Sequence, residues 1–148
     1  MVYVNTPDYS WKPVAHTADL AIAITASDHA GLFNAALEGL LGTIDLKTDS
    51  RDDEKTEEHR VNIGAKVIEE TLVDFLNDCI YQMEVGEQVP FRLEDVEFND
   101  GVLQAKLKSR PVREEERTEI GHIKAATYSA LEVKINDGMY SATIIFDT

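Results

Sequence analysis

Cysteine is almost missing from this chain of 148 residues, where Cys79 stands alone. One thiol excludes an internal disulfide and any cysteine-cluster zinc site. Basic side chains are also sparse, with 14 Lys and Arg against 28 Asp and Glu, a net charge of −14. Direct nucleic-acid binding needs cations to displace counterions from phosphates, so no direct contact with nucleic acid is expected. Metal ions or a basic protein partner suit such a surface better. No apolar run approaches the roughly 20 residues of a membrane span, and no basic-plus-apolar leader opens the chain. A cytoplasmic protein away from membranes is therefore expected. Catalytic templates are lacking too. There is no glycine-rich phosphate loop, no nucleophile elbow and no histidine pair at metal-ligand spacing on a helix. No catalytic residue is assigned, and the chain is not read as an enzyme.

What is present is enough for a core. The apolar fraction is 43%, and the length suits one domain. Residues 1–11 read as a tail anchored by Tyr9 and Trp11, and residues 12–148 as a single domain. Leu20, Ile22 and Ile24 alternate with alanines, as in a buried strand. Ser27 can cap a helix from Asp28 to Leu41 whose apolar set is Leu32, Phe33, Ala36, Leu37, Leu40 and Leu41, with Gly42 as its stop. Residues 45–59 are mostly charged and hydroxyl-bearing, as in a solvated loop. Val61, Ile63 and Ala65 predict a short strand. Ile68, Leu72, Phe75, Leu76, Cys79, Ile80 and Met83 then step by three and four, which predicts a helix over 66–84 with Cys79 buried.

Hairpin signals dominate the rest. Asn99-Asp100-Gly101 and Asn136-Asp137-Gly138 are strong turn sequences between alternating runs. The charged stretch Arg113 to Arg117 separates them, and Ile123 to Ile135 predicts one long strand. The expected fold class is α+β: two helices packed on one face of a mainly antiparallel sheet, in a single two-layer domain.

Three polar features stand out. The chain ends Ile144-Ile145-Phe146-Asp147-Thr148, a strand-like run stopping at a carboxylate. His16-Thr17-Ala18-Asp19 precedes the first apolar strand. If Asp19 reaches Asp147 and the chain's own α-carboxylate at Thr148, the cluster must bind a hard cation or bear mutual repulsion. Lys124 is either an edge-strand gatekeeper or a balancing charge for those carboxylates. His16 and His122 lie beside these candidates, while His29 and His59 read as surface residues.

At these residues the chain resembles the archease family. The similarity runs from His16 to Thr148. It rests on His16-Thr17-Ala18-Asp19, the helix stretch Leu32 to Leu40, Leu72-Val73-Asp74-Phe75-Leu76-Asn77-Asp78, Lys124-Ala125-Ala126-Thr127-Tyr128, and the ending Ile145 to Thr148. Phe75 stands where the family often has Trp, and Ser129 where a His often follows Thr-Tyr. The resemblance implies a non-catalytic protein cofactor of the GTP-dependent RNA-splicing ligase, promoting guanylylation and multiple turnover. It implies a metal site at Asp19, Asp147 and Thr148 for Ca²⁺, Mg²⁺ or Mn²⁺, with Lys124 and His16 as activity-linked neighbours. The alternative it carries is a chaperone for RNA-modifying enzymes such as a tRNA methyltransferase. The expected partner is the ligase. The sequence leaves open a homo-oligomer, the docking surface, and the effect of Ser129.

Overall fold

The computed structural model describes residues 8–15, 20–64 and 67–148. The α+β expectation holds, and the strands divide into two antiparallel sheets. In the first, Tyr9–Val14 (β1) pairs with Leu20–Ala26 (β2), which pairs with Met139–Asp147 (β8). The far edge of β8 takes two short strands, Ala125–Ala126 (β6) at its end and Lys134–Asn136 (β7) at its start. The second sheet orders Glu57–Gly64 (β3), Val102–Pro111 (β5) and Gln88–Asn99 (β4).

Two helices join the sheets. His29–Thr43 (α1) packs against β1, β2 and β4, and Ile68–Glu84 (α2) against β3, β4 and β6. Because α1 touches both sheets, its small residues are buried beside its large ones: Gly31, Ala35 and Gly39 as well as Leu32, Phe33, Leu37, Leu40 and Leu41. A helix covered on several sides needs little amphipathicity. In contrast, α2 keeps a polar face and buries the predicted stripe from Leu72 to Met83, Cys79 included. Burial pushes the Cys79 thiol well above its ordinary value, and the charge of Asp78 adds to that, so it is an inert core group.

Several local expectations are corrected. Asp28, not Ser27, caps α1: its Oδ1 accepts the Gly31 N–H at 2.7 Å. Nor does Gly42 stop the helix, which runs on to Thr43. Gly42 is instead a contact point, since a Cβ there would lie 2.2 Å from the Trp11 ring. Trp11 in β1 thus covers the end of α1, and the Tyr9 hydroxyl donates to Glu38 of α1 at 2.9 Å. His29 is half-buried, between the rings of Phe98 and Tyr140 with centroids 4.8 Å away in each case. Pro90 lies inside β4, which an edge strand tolerates, at a register shift. β3 starts at Glu57, within the stretch read as loop, and Ala65 lies outside the described residues.

Both hairpins form where the turn sequences place them. Asp100 and Gly101 have φ of 52° and 79°, and Asp137 and Gly138 have 51° and 77°, the left-handed pair a two-residue hairpin needs. The long strand expected over 123–135 does not form. Only β6 and the start of β7 are extended there, and Ala130 takes φ 55° in the loop between them.

Candidate metal centre at the end of β8

β8 carries its apolar run into the core and its acid out of it. Phe146 is fully buried, while Asp147 and Thr148 are exposed. Two neighbours flank this end. On one side Leu20 of β2 pairs with Phe146. On the other, Ala125 pairs with Asp147, and the Lys124 N–H donates to the Asp147 carbonyl at 2.9 Å. Lys124 is exposed, so its ammonium stays hydrated. Ala126 is buried, so Lys124 does not share a face with it in the way an unbroken strand would require. His122 is exposed at a helix end, its Nδ1 3.5 Å from Glu119 Oε2. Asp19 and His16 lie outside the described residues. Among the described residues no three His, Cys, Asp or Glu side chains gather around one point.

What fixes β6 on this edge was not read from the sequence. Asn77 of α2 acts as a substitute strand partner. Its Oδ1 accepts the Ala126 N–H at 2.8 Å, and its Nδ2 donates to the Ala126 carbonyl at 3.3 Å. The Tyr128 hydroxyl donates to Asp74 at 3.1 Å. Glu69 accepts the Val133 N–H at 2.9 Å. Partial burial raises the Tyr128 hydroxyl above its usual range, with the Asp74 hydrogen bond and the charges of Asp74 and Glu70 acting the same way. These bonds pin the 125–133 segment to α2: Asn77 and Glu69 satisfy backbone groups of Ala126 and Val133, and Asp74 takes the Tyr128 hydroxyl. A sequence signal existed. Glu69, Asp74 and Asn77 all fall outside the apolar stripe of the helix, so its polar side carries the acceptors. Ser129, where the family often has histidine, is exposed, and its N–H donates to Thr127 Oγ1 at 3.3 Å.

The two charged segments, 45–59 and 113–119, turn out to be bound to each other. Arg110 is fully buried and grips Glu116 with both terminal nitrogens, at 2.9 and 2.7 Å. Arg113 makes a similar fork onto Glu54, at 2.8 and 2.9 Å, and reaches Asp49 at 3.2 Å. Glu116 also accepts the Arg113 N–H at 2.8 Å. The stretch is a short 3-10 turn, Glu114–Glu116, followed by one turn of helix, Arg117–Ile120 (α3). Its Arg113 and Glu116, with Glu54 opposite, form an internal clamp rather than a surface free for docking. The Arg113 hydrogen bonds hold the Glu54 carboxyl down to about 2, against a smaller opposing effect of burial, with the Arg51 N–H helping. Burial alone would raise Glu116, but the Arg110 hydrogen bonds and the Arg113 N–H leave it below the usual range.

As a ligand site, the end of β8 offers oxygen donors only. Such a set favours Ca²⁺, Mg²⁺ or Mn²⁺ over softer metals. Asp147 ends β8, where its backbone pairs with Ala125, so the main chain that carries this carboxylate belongs to the sheet.

Comparison with known proteins agrees with this architecture. The Archease protein family model matches residues 11–148. "Protein archease" of Thermotoga maritima is 29% identical over 137 residues, covering 93% of this chain and 98% of that one. Its counterpart from Methanosarcina mazei is 30% identical over 145 residues, covering 93% and 94%. A Thermotoga maritima crystal structure described as "an archease, possible chaperone" superposes with a TM-score of 0.65 at 28% identity, over 93% of this chain and 96% of that chain. The solution structure of Methanobacterium thermoautotrophicum protein 1598, at 20% identity and a TM-score of 0.61, shares the fold over 95% of this chain and 99% of its own.

Proposed function

Because the chain belongs to the archease family, we propose that it is a non-catalytic cofactor of the GTP-dependent RNA-splicing ligase, acting through a divalent cation held by Asp19, Asp147 and the oxygens of Thr148. The observation that carries this reading is the strand register. Leu20 pairs with Phe146, and each is the immediate chain neighbour of one of the two aspartates. The backbone hydrogen bond from the Lys124 N–H to the Asp147 carbonyl supports the second part only by placing the two residues on neighbouring strands, where the ammonium would balance the acids when no metal is bound. A bound metal would supply a positive centre on an acidic protein, and Asp147, the last residue of β8, would be one of its ligands. Docked on the ligase, such a centre favours the guanylylation-competent arrangement by binding it better than the others.

The test is multiple-turnover ligation of cleaved RNA by a purified RNA-splicing ligase with GTP and Mn²⁺. Wild-type chain raises the rate, and the Asp19→Ala/Asp147→Ala variant does not, while unfolding at the wild-type temperature. Full stimulation by that well-folded variant rejects the reading. The word "chaperone" attached to the Thermotoga relative keeps a second reading alive, a chaperone for RNA-modifying enzymes. Its distinguishing result is protection of such an enzyme from aggregation by wild type and double variant alike.

A further inference from the structure

Away from the end of β8, a groove of about 490 Å³ runs between β3 and the C-terminal half of α2. Among the described residues the outer edge of β3 pairs with no strand, so its backbone groups are open along Arg60 to Ile63. Such an edge accepts an added strand. The floor of the groove is unusual. The register sets Glu57 opposite Ser109, and Ser109 opposite Pro90, with Gln88 two residues along on the same face. Ser109 is 1% exposed, and neither its Oγ nor Gln88 Oε1 has a hydrogen-bond partner among the described residues. Buried oxygens left unpaired are costly, and a native structure keeps few of them.

The surroundings decide what would satisfy them. Asp78 lines the groove from α2, and Glu57 lines it from β3. The last turn of α2 holds no basic residue to offset the partial negative charge of its carbonyls. Two basic residues, His59 and Arg60, also line the groove. Arg60 alternates with the buried Val61, so it leaves the strand from the opposite face. His59 shares the face of Glu57 and Val61, and Gln82 Nε2 donates to Asp78 Oδ2 at 2.8 Å, so the floor sets oxygen acceptors beside one imidazole, with a negative helix end above them, on a protein of net charge −14.

We propose that this groove binds an extended basic segment of a partner protein. The segment adds as a strand along β3 and inserts an arginine or lysine head among Glu57, Asp78, Ser109 Oγ and Gln88 Oε1. The pairing supplies main-chain affinity, and the oxygen floor supplies selectivity for a cationic side chain. This site does not involve Asp147 or Lys124, so its failure leaves the ligase-cofactor reading intact.

The probe is a capped peptide of alternating threonine and valine with one central arginine, and its twin carries neutral citrulline at that position. Titrated into ¹⁵N-labelled protein, the arginine peptide shifts amides of 60–63 and 78–86. It binds at least about tenfold more tightly than the citrulline twin, a preference that shrinks with added salt. The Glu57→Gln/Asp78→Asn variant, shown to be folded by an unchanged spectrum elsewhere, loses that preference. Equal affinity for the two peptides, shifts centred outside the groove, or no shift at millimolar peptide each overturns the proposal.

Discussion

Around α1 the protein is held by apolar surface, whereas at the end of β5 it is held by charge. The first region buries Phe33, Leu37, Leu40, Ile22 and Ile24 with Trp11 laid over Gly39 and Gly42. The second buries a guanidinium with a carboxylate, Arg110 on Glu116, and joins a surface loop to them through Arg113 and Glu54. Apolar packing is forgiving of partner identity but not of volume. A buried ion pair is the reverse: its net worth against an apolar pair is small, and the loss of one member is severe. The clamp also reaches further along the chain than any helix-helix contact here. Arg110 donates to the Lys47 carbonyl at 3.1 Å, so one side chain ties the 45–54 segment to the end of β5. That suggests the charged corner chooses a loop conformation, while the apolar region supplies most of the stability.

The sharpest way to break the comparison is to remove one charge. Arg110→Ala leaves the buried Glu116 without its guanidinium, holding only the Arg113 N–H, and should cost about 3–5 kcal/mol, read as a fall in the urea midpoint. Arg110→Met with Glu116→Leu tests the other half of the argument. It should recover most of that loss, because no charge is left unpaired. If the double variant is as unstable as the single, the corner contributes stability in its own right and the contrast with α1 fails.

The apolar side breaks by volume. Gly42→Ala forces a methyl into the space of the Trp11 ring, where a Cβ would sit 2.2 Å from a ring carbon. The expected cost is about 2 kcal/mol, since the ring must move from its seat on α1. Trp11 fluorescence should shift to the red as the indole becomes wetter. A neutral outcome would show that β1 adjusts freely and that Trp11 does not fix the helix end.

Acid separates the two regions without mutation. Glu54 ionises near 2 in the folded chain and near 4.5 when free. The unfolded chain therefore takes up the proton first, and the stability Glu54 provides is complete above about pH 4.5 and drains away as pH falls toward 2. Melting temperatures between pH 6 and pH 2.5, compared with those of Arg113→Ala, isolate this contribution. The wild type should lose more over that window than the variant, which has no partner for Glu54. Parallel curves would mean the fork is screened by solvent.

Both helices were legible because their apolar residues recur at helical spacing, and both hairpins because Asp-Gly pairs fit left-handed turns. The clamp was not. Arg113 and Glu116 lie in a run of charges that reads as a solvated face, and only the tertiary fold brings Glu54 to them. The same limit hid the break after Ala126: Ile123 to Ile135 alternates well enough for a strand, but Asp74 takes the Tyr128 hydroxyl and Glu69 the Val133 N–H, drawing the segment onto α2. Of the candidate site, the sequence singled out Asp147 and Lys124, whose main chains share a hydrogen bond, and it marked the polar side of α2 without showing that the 125–133 segment docks there.

That support is the smallest effect and the most informative. Asn77→Ala removes both hydrogen bonds to Ala126 and should cost about 1 kcal/mol, because water can reach part of the freed edge. Its signature is local. The Ala126 amide should exchange with deuterium many times faster, while amides of α1 keep their protection. Asn77→Asp keeps the acceptor for the Ala126 N–H but loses the donor to its carbonyl, so it should fall between alanine and wild type. If β6 is what holds Lys124 against Asp147, ligase stimulation should decline across the same series although no acid has been touched. A loss of stimulation with unchanged exchange at Ala126 would instead put Asn77 in contact with the partner, and the support argued for β6 would have to be sought elsewhere.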